Sequence, residues 1–213
     1  MILDSSNVTV KNVIIDYWRP YYTEGTITSA DFFSTSFHIN TTLYPFHVDM
    51  LGFVFEHEGF NLGVNSMMLF EKDSGRIVAN SGDVTYIAIA TGGSDGYVTI
   101  TQNLKRYGMK EGDVVVFRTW DRPHPTIVIY RSNDTTLNNV HIYSSQGMAV
   151  IGQRSDTITI INSGVECGLG RYHSSSADAT HFSNCKGQIV VENTNFEGMM
   201  DDAINVHSTS LKI

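Results

Sequence analysis

Short runs of β-branched residues alternate with clusters of Gly, Asn, Asp and Ser along the whole chain. Runs of this kind are typical of strands joined by turns. Windows that keep apolar residues at the i, i+3, i+4 and i+7 spacing of an amphipathic helix are nearly absent. The clearest runs lie at residues 8–10, 114–116, 127–129, 158–160 and 189–191. The pattern therefore predicts an all-β protein.

Four segments of the sequence can be aligned on one asparagine. They are VTVKNVII (residues 8–15), TTLNNVHI (135–142), ITIINSGV (158–165) and IVVENTNF (189–196), which share Asn12, Asn139, Asn162 and Asn193. The intervals between the last three asparagines are close to the length of one turn of a parallel β-helix. Stacked turns place equivalent residues about 4.8 Å apart, so we expect the asparagines to be left-handed and to hydrogen-bond along the stack.

The repeat is interrupted between about Pro20 and Thr126. Pro20, Pro123 and Pro125 lie at the two edges of this gap, where a fixed φ and a missing N–H would end strand pairing. Inside it, alternating apolar and polar residues predict an inserted antiparallel barrel or sandwich. The alternating runs are residues 26–28, 31–33, 52–55, 86–89 and 97–100. Residues 110–113 (KEGD) predict its last tight turn, ahead of a strand over residues 114–118.

These patterns predict three segments. Residues 1–19 begin the β-helix, residues 20–126 form the inserted antiparallel β-barrel-like domain, and residues 127–213 form further β-helix turns that carry a candidate site. The chain stops at residues 211–213 in what we predict to be a strand, so we expect it to be a fragment of a longer protein.

Composition narrows the function classes. The 213 residues are 41% hydrophobic, which excludes a disordered tail, but only 17% charged, with a net charge of -8 and no basic run. The electrostatic footprint of a nucleic-acid or anionic-membrane binder is therefore missing, and neutral ligands fit better. Neither a membrane span nor a signal peptide is expected within the chain. Cys167 and Cys185 lack the spacing of a zinc ribbon or a disulfide scaffold.

The most informative stretch contains two Asp-Ala pairs, which begin at Asp178 and Asp202. The interval between them is one turn long, which predicts equivalent positions in consecutive turns. The interval from Asn162 to Asp178 is longer than that from Asn193 to Asp202 by seven residues (178 minus 162 against 202 minus 193). We assign the extra residues to a glycine-hinged bulge within residues 168–176. Its Arg171, Tyr172 and His173 are predicted to form one wall of a sugar subsite.

Asp178, Asp201 and Asp202 are predicted to form a carboxylate cluster on one surface. Like charges at strand spacing cannot all ionise comfortably, so one group is expected to keep a proton while another stays charged. Glycoside hydrolysis requires such a pair of acids. Because neighbouring strand residues point to opposite faces, the backbone must turn near Gly198 for both Asp201 and Asp202 to contribute. A structural aspartate ladder and a calcium site remain open alternatives.

Several basic and histidine side chains accompany these acids. His181 and His207 follow Asp178 and Asp202 by three and five residues, so they are not turn equivalents, and we expect them to pack beside the acids or to support them. Arginines flank the predicted insertion, where a salt bridge at the junction is the simplest explanation. They are Arg19, Arg118, Arg122 and Arg131.

The runs FEGMMDDAINVH (residues 196–207), ADATHF (177–182) and DYWRP (16–20) resemble glycoside hydrolase family 110, the bacterial α-1,3-galactosidases. The resemblance implies a right-handed parallel β-helix of the pectin-lyase type, divided by an inserted β-barrel. It also implies inverting, metal-free and cofactor-free removal of terminal α-1,3-linked galactose, including that of the blood-group B determinant. A galactose-terminated oligosaccharide or glycoconjugate would be the partner, and the location would be secreted or periplasmic.

The family's acidic triad would fall on Asp201, Asp202 and Asp178. The earlier position can be Glu in the family, and Asp178 is one methylene shorter. The predicted sugar-binding residues are Arg171, Tyr172, His173, His181, Asn205 and His207. Family members continue for several more turns, and the sequence does not indicate an oligomeric state.

Two other functions remain open. A polygalacturonase-like hydrolase or a polysaccharide lyase acts on polyanions and would need several cations near the acids, whereas residues 155–207 contain only Arg171 and Lys186. A non-catalytic glycan-binding β-helix, such as an adhesin or tailspike segment, would bind sugar without cleaving it.

Overall fold

A computed structural model describes residues 1–50, 52–57, 60–86 and 88–209 of the chain. Over these residues the secondary structure consists of strands, turns and two short 3-10 segments, with no α-helix, which confirms the all-β prediction. No helix in the described part is long and apolar enough to cross a membrane.

The chain divides into two compact units. The stacked unit contains Met1–Tyr17 and the chain from Asp121 onward, and the inserted unit contains Trp18–Trp120. The borders predicted from the sequence follow residues 19 and 126.

In chain order, the strands of the described residues are β1 (Ile2–Leu3), β2 (Ser6–Ile15), β3 (Thr23–Ala30), β4 (Thr35–Ile39), β5 (Phe46–Asp49), β6 (Gly52–His57), β7 (Phe60–Gly63), β8 (Ser66–Phe70), β9 (Val84–Thr85), β10 (Ala90–Gly92), β11 (Tyr97–Ile100), β12 (Val114–Arg118), β13 (Ile127–Tyr130), β14 (Asn133–Ile142), β15 (Val150–Gln153), β16 (Asp156–Ile161), β17 (Gly164–Val165), β18 (Thr180–Ser183), β19 (Lys186–Glu192), β20 (Asn195–Phe196) and β21 (Ile204–His207). The 3-10 segments are Ser94–Gly96 and Lys105–Tyr107. The strand predicted at residues 211–213 and Ile87 of the predicted run 86–89 lie outside the described residues.

Two parallel sheets form the stacked unit. The first has the order β1-β13-β15-β18-β21, and the second contains β2, β14, β16 and β19 with the short β17 and β20. Isolated parallel bridges join Ser145 to Ser175 and Ser175 to Met199, which adds a third line of pairing. Successive strands of each sheet come from successive repeats of the chain. Each repeat therefore contributes to both sheets, and the parallel strand arrangement as a whole is curled.

Side chains that alternate along these strands form the core of the stacked unit. Leu137, Ile160 and Val191 are register partners in β14, β16 and β19 and point inward. From the first sheet, Phe182 is fully buried beside Gly152, where a Cβ would lie 2.7 Å from its ring. Burial of such aliphatic and aromatic side chains is worth about 1.5–3 kcal/mol each, which holds the sheets together without α-helices.

The aligned asparagines form a column at one corner of the stacked unit. Asn12, Asn139, Asn162 and Asn193 have φ of 60°, 56°, 50° and 47°. The Asn139 side-chain amide donates to Asn12 Oδ1 at 2.9 Å, and that of Asn193 donates to Asn162 Oδ1 at 3.4 Å. Between these two pairs the series of hydrogen bonds shifts by one residue, because the Asn162 side-chain amide donates to Asn138 Oδ1 instead of Asn139. The left-handed conformation and the stacking predicted for these residues are confirmed.

The inserted unit is antiparallel. Its larger sheet has the order β10-β11-β4-β3-β12-β8-β9, and β5-β6-β7 form a second sheet. Its core includes edge-to-face ring pairs of Phe117 with Phe37 and with Phe53, at centroid distances of 5.1 and 4.9 Å. The turn predicted at residues 110–113 is confirmed, since Asp113 N–H donates to the Lys110 carbonyl at 3.1 Å directly before β12.

Candidate functional site

The two Asp-Ala pairs occupy the same position in consecutive repeats. Ala149 N–H donates to the Asp178 carbonyl at 3.0 Å, and Ala179 N–H donates to the Asp202 carbonyl at 2.9 Å. Thr180 then pairs with Ile204 as β18 and β21 begin. The predicted alignment of Asp178 with Asp202 is therefore confirmed, and each residue lies two positions before a strand of the first sheet.

The extra residues of the middle repeat are also located. Val165 pairs with Phe196, and Ser175 pairs with Met199. Between these two pairings the middle repeat takes seven residues more than the next one (175 minus 165 against 199 minus 196). The predicted bulge within residues 168–176 overlaps this interval.

The structure brings the three predicted acids together. One carboxylate oxygen each from Asp178, Asp201 and Asp202 lies within 4.8 Å of the others. Upstream, Gly198 has a φ of +67°, and a Cβ there would overlap Cys167 Sγ, so this position requires glycine. The backbone thus leaves the extended conformation just before the acids, which lets Asp201 and Asp202 both approach Asp178. Acidic clusters of this kind occur with and without bound cations, and the prediction that no metal binds stays a prediction.

The exposure of the three acids differs. Asp178 is buried, with 3% of its surface exposed, whereas Asp201 and Asp202 are exposed. A buried carboxyl group requires hydrogen-bond partners.

Each carboxylate of the aligned pair has a specific partner. His181 Nδ1 lies 2.6 Å from Asp178 Oδ2, and Asn205 donates to Asp202 Oδ2 at 3.1 Å. His181 and Asn205 are register partners, so the same three-residue spacing recurs with a different side chain in each repeat. His207 is in register with Ser183, which confirms that the two histidines are not turn equivalents.

The histidines nevertheless contact each other. Nε2 of His181 lies 2.8 Å from Nε2 of His207, and the two rings are nearly perpendicular at 82°. His181 thus bridges Asp178 and His207.

Arg122 is a site residue that the sequence interpretation did not select. It donates to Asp201 Oδ2 at 2.9 Å. Its residue type does not recur at the equivalent positions of the later repeats, so the sequence alignment offered no signal for it.

The other paired arginines lie elsewhere. Arg118 pairs with Asp83 in the inserted unit, and Arg131 pairs with Asp4 in the stacked unit, each at 2.6 Å.

Two of the predicted sugar contacts in the bulge have partners within the protein. Arg171 forms two hydrogen bonds with the Asp16 carboxylate, at 3.0 and 2.6 Å, and a Cβ on Gly168 would overlap its guanidinium. His173 is 0% exposed, with Nε2 3.4 Å from Ser176 Oγ, so it lies inside the bulge rather than on a ligand-facing surface. Long-range pairing and burial, which spacing cannot reveal, fix these side chains, and their role as sugar contacts stays a prediction. Tyr172 is half-buried.

The inserted unit has a recognised family counterpart. Residues 23–115 match the family described as GLAA-B beta-barrel domain I. In chain order, the matched residues fall between the two parts of the stacked unit.

Similarity to curated proteins extends over the whole chain. Alpha-1,3-galactosidase B of Akkermansia muciniphila is 41% identical over 215 residues, which cover 100% of this chain and 27% of the relative. Alpha-1,3-galactosidase B of Parabacteroides distasonis is 35% identical, and alpha-1,3-galactosidase A of Shewanella woodyi is 27% identical. These alignments cover 100% of this chain and 35% and 36% of the two relatives. The chain spans about a third of the length of the curated relatives it matches.

Proposed function

We propose that this chain carries the catalytic centre of an exo-acting glycosidase that removes terminal α-1,3-linked galactose from linear or blood-group B type glycans. The observation that carries the proposal is the meeting of Asp178, Asp201 and Asp202 oxygens within 4.8 Å on two consecutive repeats. The names of the similar proteins support galactose as the sugar. Membership of glycoside hydrolase family 110 and a secreted or periplasmic location are part of the same proposal.

The proposed fold of the stacked unit is a right-handed parallel β-helix of the pectin-lyase type. Its support is the continuous parallel register Ile127, Val150, Thr180 and Ile204 through the first sheet. The register of β2, β14, β16 and β19 in the second sheet gives the same repeat. In this proposal residues 20–126 are the insertion that divides residues 1–19 from residues 127–213.

In the proposed mechanism, one carboxylic acid of the cluster gives its proton to the glycosidic oxygen as the bond to galactose breaks. A second group, as carboxylate, takes a proton from the water that attacks the anomeric carbon. Arg122 and Asn205 hold Asp201 and Asp202 through the hydrogen bonds described above, which fixes their orientation towards the sugar. No metal or cofactor takes part.

Inversion of the anomeric carbon is the proposed stereochemical course. Inverting acids are usually about 6.5–9.5 Å apart and retaining ones about 5–5.5 Å. The 4.8 Å limit joins one oxygen of each group and is not the separation of the whole carboxyl groups. The product anomer therefore needs a direct measurement.

The test compares Asp201→Asn and Asp202→Asn in the full-length protein with the wild type. The substrates are an α-1,3-linked galactosyl disaccharide and the branched blood-group B trisaccharide. Each variant should lose several orders of magnitude in hydrolysis, since both proton transfers depend on the cluster, about 10²- to 10⁴-fold for each. Asp134→Asn, at an exposed aspartate of positive φ in β14, is the matched control and should keep full activity. Near-normal rates in both cluster variants would contradict the assignment.

The anomer released first, followed by proton NMR, decides the stereochemistry. β-Galactose supports inversion, and α-galactose would replace it with retention. Glycan binding without release of galactose would favour a non-catalytic β-helix.

The polyanion-cleaving alternative loses support from the ion pairs. Of the two cations in residues 155–207, Arg171 is bound to Asp16 and Lys186 lies 3.4 Å from Asp156. The cation beside the carboxylates, Arg122, is itself paired with Asp201.

A further inference from the structure

The three acids of the cluster differ in their exposure to water, and therefore in how they can exchange protons. After each inverting turnover, the acid has lost a proton and the base has gained one, so the starting protonation states must be restored. Asp201 and Asp202 are exposed and can exchange protons with water directly. Asp178 is 3% exposed and cannot.

The His181 side chain hydrogen-bonds the Asp178 carboxylate, and this histidine leads outward. Its Nδ1 lies 2.6 Å from Asp178 Oδ2, and its Nε2 lies 2.8 Å from Nε2 of His207. His207 lies in β21, the last described strand of the first sheet, and is exposed there, whereas the His181 side chain is 17% exposed. The contacts therefore form a continuous chain from a buried carboxylate to an imidazole on the edge strand of the described residues.

The short distance between the two ring nitrogens limits the proton arrangements. In a hydrogen bond between two Nε2 atoms, one must donate and the other must accept, so one proton lies between the rings. When His207 donates, neutral His181 carries its proton on Nδ1 and donates it to the Asp178 carboxylate. When His181 donates from Nε2, its Nδ1 accepts a hydrogen bond from protonated Asp178.

We propose that His181 and His207 form a proton relay that restores the protonation state of Asp178 between turnovers. This inference rests on the proposed function. To protonate Asp178, a proton from water binds Nδ1 of His207, the Nε2 proton of His207 passes to Nε2 of His181, and the Nδ1 proton of His181 passes to Asp178. One proton enters from solvent and one arrives at the carboxylate, and the reverse sequence removes it. Both histidines act through Asp178 and are positioning residues in that sense.

The next repeat provides an internal comparison. Asn205 occupies the register position of His181 and holds Asp202 through the same three-residue spacing, at 3.1 Å. An amide can donate to a carboxylate but cannot pass a proton through itself. The protonable residue is therefore found beside Asp178, which is buried between two repeats, and the non-protonable one beside Asp202 of the last described repeat. On the other side, the register partner of His181 in β15 is Ile151, and His181 has hydrogen-bond contacts with two titratable groups, Asp178 and His207.

The kinetic test uses His181→Asn and His207→Ala in the full-length protein with the α-1,3-linked galactosyl disaccharide. His181→Asn copies the Asp202–Asn205 pair, so it keeps a donor to Asp178 while breaking the relay. Because the relay acts after product forms, kcat should fall by about 10²-fold, the lower end of general acid–base contributions, with kcat/KM close to that of the wild type. Added imidazole should restore much of kcat in His207→Ala.

The matched control is His141→Asn, which alters a histidine–carboxylate pair of the second sheet, 3.1 Å from Glu166. It should show neither the kcat loss nor the imidazole response. Equal loss of kcat and kcat/KM without rescue would show a structural role, and a rise in KM alone would show sugar binding. Either result overturns the relay.

A second measurement does not depend on galactosidase activity. The ¹⁵N shifts of the histidine rings, assigned through the two variants, report which nitrogen carries the proton. Asp178→Asn should change the ring shifts of His207 although His181 lies between them, and unchanged shifts would overturn the proposal. If the wild type releases no galactose while this coupling is present, the proposed function fails and the proton-coupled chain stands.

Discussion

Both the stacked unit and the inserted unit must turn the chain between many strands. They use different residue types at the left-handed positions where it turns. Among the described residues, positive φ in the inserted unit falls mostly on glycines, with Asn80 and Asp95 as the exceptions. In the stacked unit it falls mostly on residues with side chains, and the exceptions are Gly170, Gly187 and Gly198. A left-handed residue with a Cβ costs about 1–2 kcal/mol, so the stacked unit must offset this cost repeatedly.

Stacking offers the compensation. In the asparagine column, a side chain that points along the stack meets the equivalent side chain of the next repeat, as Asn139 meets Asn12 at 2.9 Å. A hairpin turn of the inserted unit has no such copy beside it, and glycine removes the cost instead. In a repeat protein, a left-handed position is therefore stabilised by the equivalent residues stacked on it. This is why the same residue, asparagine, recurs and could be aligned in the sequence.

The largest effect is expected from breaking that column. Asn139→Ala should destabilise the stacked unit by about 2 kcal/mol, of which about 1 is the left-handed backbone and about 1 the lost hydrogen bonds. Asn139→Gly keeps the backbone conformation and should lose only about 1 kcal/mol. Urea denaturation with hydrogen exchange of the β2 and β14 amides measures both variants. If alanine were as stable as glycine here, the backbone part of the comparison would be wrong.

Two other columns of left-handed residues could not be predicted from the sequence. Register equivalence places left-handed residues at two further corners of each repeat. One corner contains Asp4, Arg131, Arg154 and Asn184, and the other contains Asn7, Asp134, Thr157 and Gly187. Only the asparagine column keeps one residue type, so only it could be aligned. Backbone geometry was the shared property at the other two, and a sequence does not display it.

The candidate site was predictable to a similar extent and for a similar reason. Asp178 and Asp202 were aligned because one repeat separates them and the Asp-Ala pair recurs. Arg171 was assigned to a sugar wall, yet its carboxylate partner Asp16 lies in the first part of the stacked unit, far away along the chain. Arg122 was missed because no residue type recurs at its position. Repetition makes neighbours in the stack predictable, and contacts made outside the repeat require the structure.

Relief of a strained left-handed position in the stacked unit should have a smaller effect, and it should stabilise the protein rather than destabilise it. Thr157 has a φ of 53°, which is unfavourable for a β-branched residue, and its column contains Asn7 and Gly187. Thr157→Asn should therefore raise the free energy of unfolding by about 1 kcal/mol, at the lower end of the cost of a strained backbone. Thr159→Asn, two residues along the same strand and without positive φ, is the control and should not stabilise the protein. A loss of stability in Thr157→Asn would mean that the Thr157 hydroxyl, which donates to Asp156 at 2.9 Å, outweighs the strain.

The smallest effect concerns the inserted unit, where the Tyr86 side chain lies beside a glycine of positive φ, Gly52. Gly52 has a φ of +111°, and a Cβ there would lie 3.8 Å from the Tyr86 hydroxyl. Burial raises the pKa of Tyr86 from its ordinary 10.0 to about 12. Because the folded state favours the neutral phenol, its contribution to stability is complete below pH 10 and is lost as the pH rises towards about 12. Tyr86→Phe should weaken this alkaline loss when unfolding is measured between these values. Tyr97→Phe, at a tyrosine 56% exposed in the same unit, should leave it unchanged. An identical pH dependence in wild type and Tyr86→Phe would mean that burying the Tyr86 hydroxyl does not make stability depend on pH in this range.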